Sequence, residues 1–271
     1  MEVLYKYVPK KRIRACIPEV GDGTLRATQP AALNDPFECA IRPFYGFPDE
    51  GEENRELATV LTDFNENKPV TEQDVRRARE EHRRRFTWQL FTDQISTRFG
   101  IVSFAANPRH PLMWSHYTTD GSGFVIGYDL AELNKLACPS GWLRRVKYGK
   151  TLVPIYGPVV PVAPDSNLPK LLSYKSEHWS YEQEWRLIVE LRRTIGTGKT
   201  DRHGQPINLV RIPNEAVVSV YFTERTPTDS VRLVQERLAD ENNRYRAGKP
   251  RKLVRSSTEF GYEEAPEGDD I

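Results

Sequence analysis

The sequence predicts a mixed α+β fold built on a bent, largely antiparallel sheet. Three observations predict it. Short runs with two-residue alternation, such as EVLYKYV and GIVSFAANP, recur along the chain. Helical patterns interrupt them without the regular strand–helix–strand rhythm of a doubly wound sheet. A charged stretch at residues 50–99 carries two helix patterns, so it is expected as a helical insertion beside the sheet. One α+β domain is expected over residues 1–258, followed by an acidic tail at 259–271 expected to be disordered.

Taken in order, Glu2 to Val8 reads as the first strand, with Leu4 on one face and Tyr5 and Tyr7 on the other. The basic stretch KKRIR and the turn GDG precede a second strand, TLRAT. In NDPFE, Asn34 and Asp35 favour a side-chain-to-backbone turn, and Pro36 keeps the preceding residue out of a helix. The preferred reading is a rigid turn whose Phe37 plugs the core; the alternative carries Asp35 and Glu38 into a cleft. ENRELATVLTDF is the first helix of the insertion, and Thr71 with Asp74 resembles a capping box opening a second that runs to about Arg98. In the strand GIVSFAANP, Val102 and Phe104 face one way, Ser103 and Ala105 the other. LMWSHY is a short helical turn. GFVIGYD is a strand, and Asp129 with Glu132 opens the next helix.

Five prolines make residues 153–169 an irregular loop. EWRLIVELR is a clear strand, with Trp185, Leu187 and Val189 on one face and Glu184, Arg186 and Ile188 on the other. GTGKTDRHGQ reads as a hairpin loop. PINLVRIP, VVSVYF and RKLVRS read as strands and TDSVRLVQERLADENN as an amphipathic helix.

Composition excludes some function classes. The net charge of +1 creates no global field towards nucleic acid or membrane. No apolar run approaches the roughly 20 residues of a membrane span, and the first residues show no secretory signal pattern. The three cysteines, Cys16, Cys39 and Cys138, form neither a disulfide framework nor a zinc pair, so reduced thiols in a cytoplasmic protein are expected. GTGKT is not a phosphate-binding loop, because Arg193 stands where the motif needs glycine. RRAREEHRRRF reads as a solvated helix face, its Glu80 and Glu81 four residues before Arg84 and Arg85.

Two stretches carry candidate chemistry. LMWSHY sets Trp114, Ser115, His116 and Tyr117 side by side; at helical spacing Met113 and Trp114 face differently from His116 and Tyr117, so part of the cluster is expected to face a cleft. In SYEQEWRLIV, Glu182 and Glu184 stand one residue apart, and strand periodicity puts both carboxylates on one face, where mutual repulsion is expected to raise the pKa of one of them. The structural alternative is a surface ion pair between Glu184 and Arg186. Histidine and cysteine spacings give no metal motif, so no metal is expected.

The order LYKY, NDPFE, SFAANPRHPLMWSHY, GFVIGYD and WSYEQEWRL resembles a bacterial family known only as a domain of unknown function, from about Leu4 to Tyr221. More distantly, the order Tyr5-Lys6-Tyr7, Ser103, the LMWSHY helix, GFVIGYD and Glu182-Gln183-Glu184 resembles the ADP-ribosyltransferase superfamily. Tyr or Lys stands where the known classes hold a first-strand Arg or His, and Ser103-Phe104-Ala105 replaces their Ser-Thr-Ser. This resemblance implies the superfamily's fold, NAD as co-substrate, and an NAD-consuming transferase or glycohydrolase of the kind used by bacterial toxins and phage-defence effectors. Glu184 is then the catalytic carboxylate that stabilises the ribosyl cation, and Glu182 the group that orients or deprotonates the acceptor. Tyr5, Lys6, Tyr7, Ser103, His116 and Tyr117 would line the dinucleotide cleft, with a protein or nucleic acid as acceptor. The rival readings are a metal-dependent nuclease using Asp35, Glu38, Glu182, Glu184 and His116, and a non-enzymatic module that senses a ligand.

Overall fold

The computed structural model describes residues 2–39, 41–42, 55, 58–59, 62, 69–75, 88–137, 141–154 and 168–266. An eight-stranded, curled sheet dominates an α+β architecture. In spatial order its strands are β15 (Tyr262–Glu264), β14 (Arg251–Arg255), β13 (Val217–Thr223), β5 (Phe124–Asp129), β1 (Val3–Val8), β4 (Phe99–Ala105), β10 (Glu184–Glu190) and β6 (Trp142–Arg145). β13 and β14 run parallel and the other neighbours antiparallel. A three-stranded sheet joins β2 (Gly23–Ala27), β12 (Pro206–Ile212) and β11 (Ile195–Thr200). Two short parallel pairs complete it: β3 (Ile41–Arg42) with β8 (Val153–Pro154), and β7 (Lys147–Gly149) with β9 (Tyr174–Ser176).

The two-residue period sorts the central strands between a main core on one face and two smaller apolar clusters divided by a polar gap on the other. Leu4, Val102, Phe104, Phe124, Ile126, Leu187 and Val189 point to the main core, where the helices Leu130–Ala137 and Thr228–Ala239 also bury side chains. On the opposite face the apolar surface is divided. Ile101 and Ile188 join a cluster with Phe99, Cys39 and Leu172, whereas Tyr7, Ala105, Met113 and Trp114 form another. β4 and β10 pair Ile101 with Ile188, Ser103 with Arg186 and Ala105 with Glu184. Walking along that face therefore leads from a dry isoleucine pair into charged chemistry.

The large sheet is weakly joined at one place. β1 and β5 pair along their whole length, from Val3 opposite Asp129 to Val8 opposite Phe124. β1 and β4 meet only where Tyr5 faces Ala105. Beyond that point they separate, and the Lys6 ammonium donates to the Ser103 carbonyl at 2.6 Å, so a side chain serves an acceptor at the split. On the other side of β1, Gly127 opposes Tyr5, and a Cβ there would lie 3.2 Å from the Tyr5 ring and 2.2 Å from the Ser219 hydroxyl. Glycine is needed for that close approach.

The capping box of Thr71 and Asp74 is present: the Thr71 amide donates to Asp74 at 3.0 Å, and the Asp74 amide to the Thr71 hydroxyl at 3.2 Å. Helix follows at 72–75 and again at Trp88–Ser96; most of the rest of the 50–99 segment, including RRAREEHRRRF, lies outside the described residues. So do Cys138 and much of the proline-rich loop; Cys16 and Cys39 are buried and free. One expectation is corrected. The acidic end does not leave the fold at residue 259, because β15 pairs with β14. Its Glu264 carboxylate accepts from Arg109 at 2.7 Å and Arg251 at 3.3 Å, and the Tyr262 ring lies 5.7 Å from that of Trp114. Glu264 is thus held by partners, while residues 267–271 lie outside the described residues. Among the described residues no helix is long and apolar enough to cross a membrane.

Candidate functional site

A cleft of about 250 Å³ opens at the split between β1 and β4. Tyr5, Lys6, Tyr7, Ser103, Tyr117, Glu182 and Glu184 all stand in its wall. Thus seven of the eight residues singled out in the sequence meet in one place. The eighth, His116, is exposed outside the cleft, where its ring tilts towards Tyr181 at 6.5 Å. The reason lies in the helix Pro111–Tyr117. Met113 and Tyr117, four residues apart, share a face and both line the cleft, which corrects their expected separation; Trp114 turns inward, and His116 follows the outer face.

The cleft floor is a buried ion network. The Lys175 ammonium sits among three carboxylates, 2.7 Å from Glu182, 3.1 Å from Glu184 and 3.7 Å from Glu38. Arg186 is fully buried; its Nε donates to Glu184 at 2.9 Å, another nitrogen to the Leu172 carbonyl at 2.7 Å, and a third bonds Glu38. Backbone contacts fix Glu184 further: its amide donates to the Tyr148 hydroxyl at 2.8 Å, and its carbonyl accepts from Val146 at 2.8 Å. Parallel pairing of β7 and β9 sets Lys175 beside Tyr148.

Glu182 reaches the same ammonium by a route that strand periodicity does not describe. It ends a 3-10 turn, Glu177–Glu182, and Gln183 then takes a left-handed conformation at φ 45° before β10 begins. That reversal, rather than a two-residue repeat, brings both carboxylates to Lys175. Glu182 also accepts from the Tyr117 hydroxyl at 2.6 Å, which ties the Pro111–Tyr117 helix to the network. The surface ion pair weighed for Glu184 and Arg186 is corrected to a buried one, since both side chains are within a few per cent of complete burial.

NDPFE is a turn, as its Asn-Asp-Pro order predicts: Asp35 accepts from the Phe37 amide at 2.9 Å. Phe37 does not plug the core but stands 63% exposed. The turn instead directs Glu38 inward to Arg186, and this glutamate is the buried anchor of the segment.

Ionisation follows from these contacts. The raised value expected from the acid pair is corrected for Glu184: burial pushes its carboxyl up, but Arg186 and Lys175 outweigh it and hold it at about 2. Burial pushes Glu38 up, and there it prevails over the same two cations. For Lys175 the burial penalty is overcome by Glu184, Glu38 and Glu182, so the ammonium holds its proton above the ordinary lysine range. Burial followed by Glu182 raises Tyr117. Lys6 is lowered, by burial first, with Glu184 acting against it.

This donor set bears on the nuclease reading. The point on which Glu38, Glu182 and Glu184 converge is occupied by the Lys175 ammonium, and Asp35 is engaged in its turn. His116 stands apart. Among the described residues no group of three or more His, Cys, Asp or Glu side chains is placed to hold a metal ion.

Lys175 and Arg186 are the members that sequence reasoning missed as functional centres. Arg186 was legible as an anomaly, a charge at an inward position between apolar neighbours in EWRLIV. Lys175, in YKSEH, carries no such local signal; its role arises from the pairing of β7 and β9.

No curated protein and no solved structure matches the chain. Residues 113–187, the stretch that runs from the cleft-lining helix through Lys175, Glu182 and Glu184 to the middle of β10, match the family described as a protein of unknown function (DUF2971).

Proposed function

We propose that the cleft binds a small polar molecule of the nucleotide class and cleaves the nicotinamide–ribose bond of NAD, transferring the ribosyl group to water or to a protein or nucleic-acid acceptor. The observation that carries this reading is the meeting of an ionised carboxylate, Glu184, with the β1 tyrosines and Tyr117 in one cleft.

The chemistry these residues support is concrete. The bond from ribose C1′ to the nicotinamide nitrogen breaks, and its electron pair neutralises the positive ring. Positive charge develops on the ribose, where an anion held in place before the reaction begins stabilises it. Glu184 is such an anion, because Arg186 and Lys175 keep it unprotonated and fixed. The acceptor oxygen then bonds C1′ and releases its proton towards Glu182. Tyr5, Tyr7 and Tyr117 offer ring faces and edges for the nicotinamide.

The test is release of free nicotinamide from NAD by the full chain, with a melting curve run on each variant. Wild-type protein should release it, and Glu184→Gln should slow the chemical step by about a hundred- to a thousand-fold while KM moves much less. The Gln variant also loosens Arg186, so Tyr117→Phe, which leaves both cations paired, serves as the folded comparison. Wild type that releases no nicotinamide with any acceptor overturns the reading.

One observation favours a second reading. Glu184 already faces two cations, and these cancel much of its field at an arriving positive charge. A module that binds the ligand without consuming it has the same cleft and needs no free charge. NAD that binds, by calorimetry, without turnover would select it.

A further inference from the structure

A second cavity of about 230 Å³ adjoins the first. The two share Lys6, Tyr7, Arg26 and Thr28 in their walls, so they lie side by side along one groove of the surface. Their charge differs. The first holds Glu38, Glu182 and Glu184. The second has Lys6, Arg12 and Arg26 in its wall and no carboxylate among its described lining residues.

Arg26 shows which side of the groove has unused donors. One of its terminal nitrogens bonds Asp201, but its Nε is buried without a hydrogen-bond partner. A buried donor without a partner is unfavourable, and an acceptor that reached it on binding would satisfy it. Lys6 gives one bond to the Ser103 carbonyl, while an ammonium has three protons to give. Arg12, from the turn Lys10–Arg12, is exposed and close enough to act electrostatically on Lys6. The first cleft alone is also small, since pockets for whole ligands usually span about 300–1,000 Å³.

The geometry points to an anion subsite at Lys6, Arg12 and Arg26 that takes a phosphate or pyrophosphate group of the ligand whose other end lies against Glu182 and Glu184. This inference rests on the first cleft being a ligand site, not on any bond being cleaved there. A nucleoside diphosphate matches the groove: phosphates at the arginines, neutral sugar and ring beyond Lys6.

Calorimetric titration of the full chain with inorganic pyrophosphate, ADP and adenosine tests it. Pyrophosphate and ADP should bind, adenosine much more weakly, and raised salt should weaken the phosphates alone. Arg12→Ala should lower the affinity for ADP about tenfold or more, with Arg12→Lys recovering part of it. Equal binding of ADP and adenosine, no binding of either phosphate, or an Arg12→Ala protein with wild-type ADP affinity would each overturn the subsite. The two readings fail separately. Nicotinamide release with no effect of Arg12 on ADP binding removes the subsite and leaves the reaction. Arg12-dependent ADP binding without nicotinamide release removes the reaction and leaves the subsite.

Discussion

The two sides of the groove are built differently. On the β9–β10 side, Lys175 meets three carboxylates within 3.7 Å and Arg186 meets two carboxylates and a carbonyl. On the β1–β2 side, Lys6 bonds one carbonyl, Arg26 keeps an unused buried nitrogen, and Arg12 faces solvent. The difference teaches where stability and where binding reside. A buried charge whose partners are complete holds its neighbours in place, whereas a charge with donors to spare is available to something that arrives. Substitutions on the first side should therefore move the melting curve, whatever else they do to activity, whereas those on the second side should move ligand affinity with little change in melting.

The largest effect is expected for Lys175→Met. Removing the ammonium leaves three buried carboxylates facing one another with Arg186 alone to compensate, at a cost of about 3–5 kcal/mol in denaturant unfolding. A loss below about 1 kcal/mol would mean that water already reaches the network and that the contrast between the two sides is weaker than the geometry implies.

Acid should act next, and on the same side. Glu184 is depressed from 4.5 to about 2, so its contribution is present above pH 4.5 and is lost as pH falls from 4.5 towards 2. Glu38 opposes it. Its carboxyl is raised, so the folded state binds that proton more readily and protonating Glu38 does not unfold the protein. At the other end of the scale, Lys175 lies above 10.5, and its contribution disappears as pH climbs from 10.5 through its raised value. Denaturant midpoints measured across pH should fall below 4.5 and again above 10.5 in wild type, with the alkaline fall reduced in Lys175→Met.

Tyr117→Phe removes one bond to Glu182 but leaves Lys175 paired, so a cost of about 1 kcal/mol is expected. Its value lies in the split it measures, because Tyr117 belongs to the locked network and to the cleft wall at once. The smallest effect is expected for Arg12→Ala, whose denaturant midpoint should stay at the wild-type value. A clear loss of stability there would show that the arginine already has a structural task.

Much of this was legible in residue order, and the exceptions are physical. Period two assigned Val102, Phe104, Leu187 and Val189 to the main core, and three- to four-residue spacing turned Trp114 away from His116. It failed at Glu182, where a left-handed Gln183 breaks the repeat; no glycine marked that position. Phe37 is exposed despite its hydrophobicity, because the turn that Asp35 imposes sends Glu38 inward instead. Lys175 and the β1–β4 split could not be read locally at all. Both depend on which distant strands become neighbours, and a ladder that stops after Tyr5 and Ala105 leaves no pattern in either strand alone.

That short ladder has a further consequence. The large sheet is two panels, β15 to β1 and β4 to β6, with a single pairing and the Lys6 tether across the seam. A molecule lying in the groove touches both panels and acts as a brace across the seam. Amide hydrogen exchange should therefore slow near Ser103 and Lys6 when the groove is filled, even though no new backbone pairing forms. Strain applied at either panel would in turn be felt first by the ligand.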